Sequence, residues 1–599
     1  MRIIDIKSKT INEEELEALR RRRFHLDIQE VKKEEVRKLP AYELEIGKKE
    51  KSKWLKGIKQ ISFSFTTQFA TKRYRIKTSF ILSCILIFTL MSGASGVGSL
   101  LSLKNQLFES GKYALANASP QNLFRASLSV KETSKKLSVL GTLPELLSEK
   151  ARALNLGSAW AEFFLRASGY YNPRYYLLLF QNNSEMRATG GFIGSYGLIK
   201  VDEGNVEIKK VEGIYQASGQ QEILVIPPEP IQKVSESWQI HDANWFFDFP
   251  TSAKAISWLY EKSGGPTVDG VIAVTPEIVE SFLALTGPIY LEKFDTTIDA
   301  KNFMDVLQYE VEVKYRSRGL DDPKEIIAQL APLLMERLLE FPKETLVSLF
   351  LSSLERKEVL FYFARNEEQT FMNYHNWGGA IRHSQGDYLA VVNSNINGFK
   401  TDRMIEQKVG HASQILEDGR IIDTLTIIRK HRGGNEPYEW YNKVNADFLR
   451  VYVPKGSLLL DASGHTLESN DKPRDYKSKE FREYPLVKQA NEKTIIDEKT
   501  GTRISEENEK TVFGNWVYVS PGEEVKVTYT YQLPFTLKKE GGIASLFLAV
   551  QKQPGITYSL GRTVKTPPSW QVIKEFPEEK REYTLLDRDQ MYADVFSYQ

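Results

Sequence analysis

Residues 175–201 read YYLLLFQNNSEMRATGGFIGSYGLIKV. The apolar run from Tyr175 to Phe180 predicts a buried strand. A polar loop follows, Gln181 to Arg187, carrying Glu185 and Arg187. Gly190, Gly191, Gly194 and Gly197 then thread a second apolar segment that ends in Leu198-Ile199-Lys200-Val201. Glycine is used where backbone must come close to something or adopt positive φ. The stretch is therefore either a tightly packed glycine-rich hairpin or a charged loop beside a ligand. Three sharper readings fail. A strand rather than a helix follows the glycines, so they are no dinucleotide fingerprint, and no Gly-Lys-Ser/Thr makes a Walker A loop. Ser195 sits in no nucleophile elbow, because position 193 is Ile rather than Gly.

Outward from this stretch, 599 residues suggest three or four units at about 150 residues each. The 80 basic and 78 acidic side chains leave a net charge of +2. That balance excludes the basic excess of a nucleic-acid binder. The single cysteine, Cys84, allows neither a disulfide framework nor a cysteine metal site. The seven histidines form no HExxH motif and no paired spacing.

Upstream, no charged residue occurs between Lys77 and Lys104. About 20 uncharged, mainly apolar residues can cross a bilayer as a helix. A buried soluble helix would show a polar face, and a signal peptide would not follow a 77-residue leader. Residues 78–100 are thus expected to be an uncleaved single membrane span. Lys72, Arg73, Arg75 and Lys77 crowd its N-terminal flank. The positive-inside rule then places residues 1–77, a charged and largely disordered tail, in the cytoplasm and the bulk of the chain outside. Residues 101–173 read as a helical stalk or cap, with Leu107, Phe108, Leu115, Leu123, Leu128 and Leu137 at roughly helical spacing.

Downstream, residues 174–415 alternate strands and helices, which indicates an α/β (α+β) domain with a mixed sheet. Asp202-Glu203-Gly204-Asn205 is a hairpin turn. Thr251 to Lys262 and Pro276 to Leu285 are helices, the first with Thr251 or Ser252 as its cap. DGVIAV at 269–274, 358–363 and 388–392 are strands. In 416–575, Leu425/Ile427, Leu449/Val451/Val453 and Val525/Val527/Tyr529/Tyr531 alternate with polar neighbours, the pattern of an antiparallel β-sandwich. Residues 466–510 read as a charged mobile insertion and 576–599 as a tail.

Four clusters could carry chemistry. Glu185 and Arg187 flank the glycines. His241 to Pro250 (HDANWFFDFP) sets Asp242, Asn244 and Asp248 among aromatics. It reads equally as a loop burying Trp245 and Phe247 while its acids cap turns. Trp377-Gly378-Gly379 reads as a turn packing an aromatic. Residues 393–403 (NSNINGFKTDR) put Asn395, Lys400 and Arg403 at a strand end, suited to an oxyanion, a sugar or a plain turn with left-handed Asn.

QNNSEMRATGGFIGSYG, NWFFDFP, VDGVIAVTP…LTGPI and NSNINGFKTD together resemble the DUF4012 family of membrane-anchored bacterial proteins, over roughly residues 100–570. More distantly, Leu177 to Arg187 and VDGVIAVTPEIVESFLALTGPIYLE are similar to the LytR-CpsA-Psr family of envelope phosphotransferases. That likeness implies transfer of a polyprenyl-pyrophosphate-linked glycan, with arginines on the pyrophosphate and an acid-bound Mg2+. Carried onto this chain, it implies Arg187, Asp242 and Asp248 as catalytic residues, Arg187, Lys400 and Arg403 on phosphate, Asp242 or Asp248 on Mg2+, and Glu185, Asn244 and Asn395 as further ligand contacts. The chain departs from that pattern where the glycine run replaces an expected acid. Two functions are therefore expected to compete: binding or transfer of a lipid-linked or polyanionic envelope glycan, and a non-enzymatic scaffold or adhesion role. In both, the protein sits in the bacterial cytoplasmic membrane.

Overall fold

The computed structural model describes residues 159–160, 162–314, 325–468, 475–476, 480–537, 541–578 and 582–598. The expected tail at 1–77, the span at 78–100 and most of the stalk lie outside the described residues. Among the described residues no helix is long and apolar enough to cross a membrane.

The opening stretch forms β1 (Arg174–Asn182) and β2 (Phe192–Asp202), followed by β3 (Asn205–Gly213) and β4 (Gly270–Val274). A small hairpin, β5 (Ile289–Leu291) and β6 (Thr296–Ile298), precedes β7 (Val359–Phe363). Five of these make one sheet in the order β3-β2-β1-β4-β7. It is mixed: β1 runs antiparallel to β2 and parallel to β4. The apolar run of β1 is continuous because both faces are covered. Leu177 and Leu179 pack with Ala253, Ile256 and Leu259 of the helix Phe249–Lys262. Tyr176, on the other face, packs with Phe163, Phe363 and Met372. The β2–β3 turn holds Glu203 and Gly204 at positive φ, as a two-residue hairpin requires. The helices Glu277–Thr286 and Glu325–Leu338 close over β5 and β6 around a separate core that includes Leu283, Phe294 and Leu330.

The rest of the chain forms a two-sheet sandwich. Its strands are β8 (Asp387–Val392), β9 (Ile405–Ile415), β10 (Arg420–His431), β11 (Asn445–Pro454), β12 (Leu458–Ser463), β13 (Ile495–Ile496), β14 (Arg503–Glu507), β15 (Lys510–Val519), β16 (Glu524–Thr536), β17 (Ile543–Val550), β18 (Tyr558–Lys565), β19 (Trp570–Phe576), β20 (Thr584–Leu586) and β21 (Gln590–Tyr598). One sheet runs β12-β16-β10-β9-β18-β20 and the other β13-β14-β15-β11-β8-β17-β21-β19. Inward residues of both, such as Leu389, Leu425, Val451, Phe513, Val527, Leu546 and Phe596, share one core.

Four details differ from the sequence expectation. β8, expected in the α/β unit, pairs with β11 and β17 in the centre of a sandwich sheet. An all-apolar strand does not declare its partners, and β8 finds burial on both faces there. The sandwich is mixed rather than antiparallel, since β8–β17 and β9–β18 are parallel. The insertion at 466–510 carries the helix Pro485–Lys493, and its β14 pairs with β15 along the sheet. The 576–599 stretch is no mere tail: it contributes β20 and β21, and Phe596 is fully buried.

Candidate functional site

Three of the four clusters meet at the loop between β1 and β2. Gly191 sits at φ +140°, and a Cβ there would lie 2.4 Å from the carbonyl of Asn182. The loop therefore turns back tightly on β1 and drives the next residues inward. Arg187 ends up buried. Its Nε and Nη2 donate to Asp242 Oδ1 at 3.1 and 3.0 Å, and Nη2 also reaches Glu185 Oε1 at 3.1 Å. Nη1 donates to the carbonyls of Met186 and Asn395. The Phe192 ring lies 5.4 Å from the guanidinium.

The segment 393–403 is stitched to this loop by backbone. Asn395 N donates to Met186 O and Asp402 N to Ser184 O, at 3.0 and 3.1 Å. Met186 N in turn donates to Asp402 Oδ2 at 2.9 Å. Asn395 is a turn-builder: its Nδ2 donates to Asp402 and to the Phe399 carbonyl, and its Oδ1 accepts from Gly398 N. Asn397 and Phe399 take positive φ. Lys400 pairs with Glu312 at 2.9 Å and Arg403 with Asp305 at 3.4 Å. Asn244 donates to Gln181 and to the Gly191 carbonyl, bracing the same loop.

Asp248 does not join this site. It caps the helix Phe249–Lys262, accepting from Thr251 N at 3.0 Å, Thr251 Oγ1 at 2.6 Å and Ile381 N at 2.9 Å. The cap is thus Asp248 and not Thr251 or Ser252. Trp377 packs its ring 5.3 Å from Trp160, and the Gly379 carbonyl accepts from Phe249 N.

Beneath the loop lies a charge network that the sequence reading missed. Arg429 is fully buried and bonds Asn393 Oδ1 at 2.6 Å, Asn445 Oδ1 at 2.9 Å and the carboxylate of Asp447. Asp447 also accepts from Ser394 N at 2.6 Å. The signal was present in the alternation: Arg429 falls in phase with the inward Leu425 and Ile427 of β10.

Electrostatics follow from these contacts. Burial opposes ionisation of Asp242, yet His241 and Arg187 outweigh it and hold its carboxyl well below the usual range. Burial pushes Glu185 upward against the pull of Arg187 and Lys400. Asp242 also ends a chain of contacts, with Ser218 Oγ 3.0 Å from His241 Nδ1 and His241 Nε2 3.3 Å from Asp242 Oδ2. The residues do not fit the expected Mg2+. Asp248 has both oxygens in hydrogen bonds, Oδ2 capping the helix and Oδ1 to Ile381 N, and a guanidinium occupies the approach to Asp242. A cleft of about 400 Å³ opens elsewhere, lined by Trp245, Phe448, Arg450, Leu486, Asn491 and Glu506.

Comparison with known proteins places these residues in context. Residues 172–311 match the family model described as "Protein of unknown function (DUF4012)". No curated protein matches the chain. Among solved structures, the M1 zinc metallopeptidase from Deinococcus radiodurans is matched at 8% identity, over 33% of this chain and 42% of that one, with a TM-score of 0.13. A mutant of that enzyme bound to a Tyr-Ser-Ala substrate is matched at 9% identity, over 33% and 43%, with a TM-score of 0.14. The chain spans less than half the length of these structures, and so slight a likeness carries no argument.

Proposed function

On the premise that this chain belongs to the DUF4012 family through residues 172–311, we propose that it is a non-catalytic binding module of the bacterial cell envelope, tethered by its 78–100 segment. It holds its ligand and does not transfer it. One observation carries this reading: every cation expected on a phosphate is already matched by a carboxylate of the same chain. Arg187 faces both Asp242 and Glu185, Lys400 faces Glu312, and Arg403 faces Asp305. At Arg187 a pyrophosphate would have to displace the buried Asp242, and breaking a buried pair leaves an uncompensated charge; at Lys400 and Arg403 it would compete with the exposed Glu312 and Asp305. Phosphoryl transfer needs the opposite, cations left open toward the ligand.

The cleft beside Trp245 supports the binding role. It mixes aromatic and aliphatic walls with the polar side chains of Arg450, Asn491 and Glu506. Such a lining suits a polyhydroxylated segment, such as an envelope glycan.

The full chain in detergent micelles, given a polyprenyl-pyrophosphate-linked glycan and Mg2+, is expected to release no polyprenyl phosphate. A fluorophosphonate probe is expected to leave Ser218 unlabelled. Glycan binding should persist and be lost in Leu486→Glu, on the cleft wall. Turnover abolished by Arg187→Lys, or labelling of Ser218, would overturn the reading.

A further inference from the structure

Asp423 is a carboxylate inside an apolar sandwich, and the strand registers explain what surrounds it. On β10, Asp423 shares the inward face with Ile421, Leu425 and Ile427. Across β10 and β16 it lies directly opposite Tyr531. Across β10 and β9, His411 faces Leu425, one inward position along. Asp387, at the start of β8, comes from the opposing sheet. All three of Asp387, His411 and Asp423 are at most 2% exposed. Their ligand atoms lie within 4.8 Å of one another.

His411 is hydrogen-bonded to neither carboxylate. His411 Nε2 is 3.7 Å from Asp387 Oδ2, 3.6 Å from Asp423 Oδ2 and 3.4 Å from the Tyr531 hydroxyl. The carboxylate contacts exceed hydrogen-bond range. Accordingly, Asp387 Oδ2 and both Asp423 oxygens are buried without an ordinary hydrogen-bond partner. Such orphans are rare and costly in a folded interior. A tetrahedral ion with ligands at about 2.0–2.2 Å has ligand–ligand edges of roughly 3.3–3.6 Å. The three separations from His411 Nε2 are close to those edges.

Charge points the same way. Two buried carboxylates beside an imidazole are a donor set that matches a divalent cation. Two cations lie near enough to act on Asp387 through space, but each is held by another group. Arg562 forms a two-pronged pair with Asp594, and Lys510 lies over the Tyr388 ring at 4.1 Å.

We propose that Asp387, His411 and Asp423, with Tyr531 as the fourth group, bind one divalent first-row transition metal ion, Zn2+ foremost, that clamps the two sheets of the sandwich together. A nitrogen and hard oxygens suit Zn2+ or Mn2+. The site is closed on all sides, so its role is structural. Binding needs both carboxylates ionised and the imidazole proton on Nδ1.

The test uses the untagged full chain in detergent, stripped with chelator and then titrated with ZnSO4 or MnCl2. One equivalent is expected to bind and to raise the denaturation midpoint. Asp387→Asn/Asp423→Asn keeps the shape and removes the charge repulsion, so it should fold without metal. Its affinity should fall more than about 100-fold, beyond the cost of losing an outer hydrogen bond to a ligand. Failure of the stripped wild type to bind either ion, or equal binding by the double variant, would overturn the proposal and leave a proton-sharing pair in its place.

Discussion

Arg187 Nε and Nη2 converge on a single atom, Oδ1 of Asp242, at 3.1 and 3.0 Å, with both side chains out of solvent. The two residues lie 55 positions apart and join the β1–β2 loop to the segment before the helix Phe249–Lys262. The pair makes the loop part of the core rather than a mobile arm over a ligand.

Removing one partner should therefore be costlier than removing both. Arg187→Met is expected to destabilise by about 3 kcal/mol, because Asp242 is left buried with His241 as its remaining partner. Arg187→Met/Asp242→Leu should recover part of that loss. Urea denaturation of the three variants measures the coupling; additive losses would show that the pair is not an energetic unit.

Asp248 should behave as a cap. Asp248→Ala leaves the amides of Thr251 and Ile381 without acceptors and should cost about 1–3 kcal/mol. Asp248→Ser, which keeps a capping oxygen, should cost less. Glycan binding by the folded variants should match wild type; a selective loss of binding would return Asp248 to a ligand site.

Gly191 and Gly194 separate by geometry. At Gly191, φ is +140° and an added Cβ would lie 2.4 Å from Asn182 backbone atoms, so Gly191→Ala should destabilise by about 1–3 kcal/mol. At Gly194 the nearest atom is 4.0 Å away, and Gly194→Ala should stay within about 0.5 kcal/mol. Similar melting shifts for the two would contradict the close approach of the loop to β1.

Glu280 sets a pH dependence. Burial, and then the charge of Glu277, raise its carboxyl from 4.5 to about 7. The folded state thus favours the protonated form. Its contribution is fully present below about pH 4.5 and is lost as pH rises through about 7. Glu280→Gln should flatten the stability profile across that window. An unchanged slope between wild type and variant in denaturation at pH 5 and pH 7.5 would refute the assignment.

Much of the fold was legible because its signals are short-range. The apolar run of β1, the Asp202–Asn205 turn, the DGVIAV strand and the period-two stretches of the sandwich depend on neighbours two to four residues away. The same alternation carries Asp423 and Arg429 in phase with the inward face of β10, a signal the sequence reading did not use. What no local pattern could supply is the partner. Asn395 reaches Arg187 across 208 positions, β8 takes its place between β11 and β17, and Asp387 faces His411 and Asp423 from the opposing sheet. A charged residue in a sequence is a solvated side chain, a ligand contact or half of an ion pair. Only tertiary structure decides among these, because it removes the water and sets the distance to the opposite charge. The sequence alone determined where strands, turns and buried faces fall. Chain packing determined that the charged loop closes on its own acids and that two carboxylates and a histidine converge between the sheets.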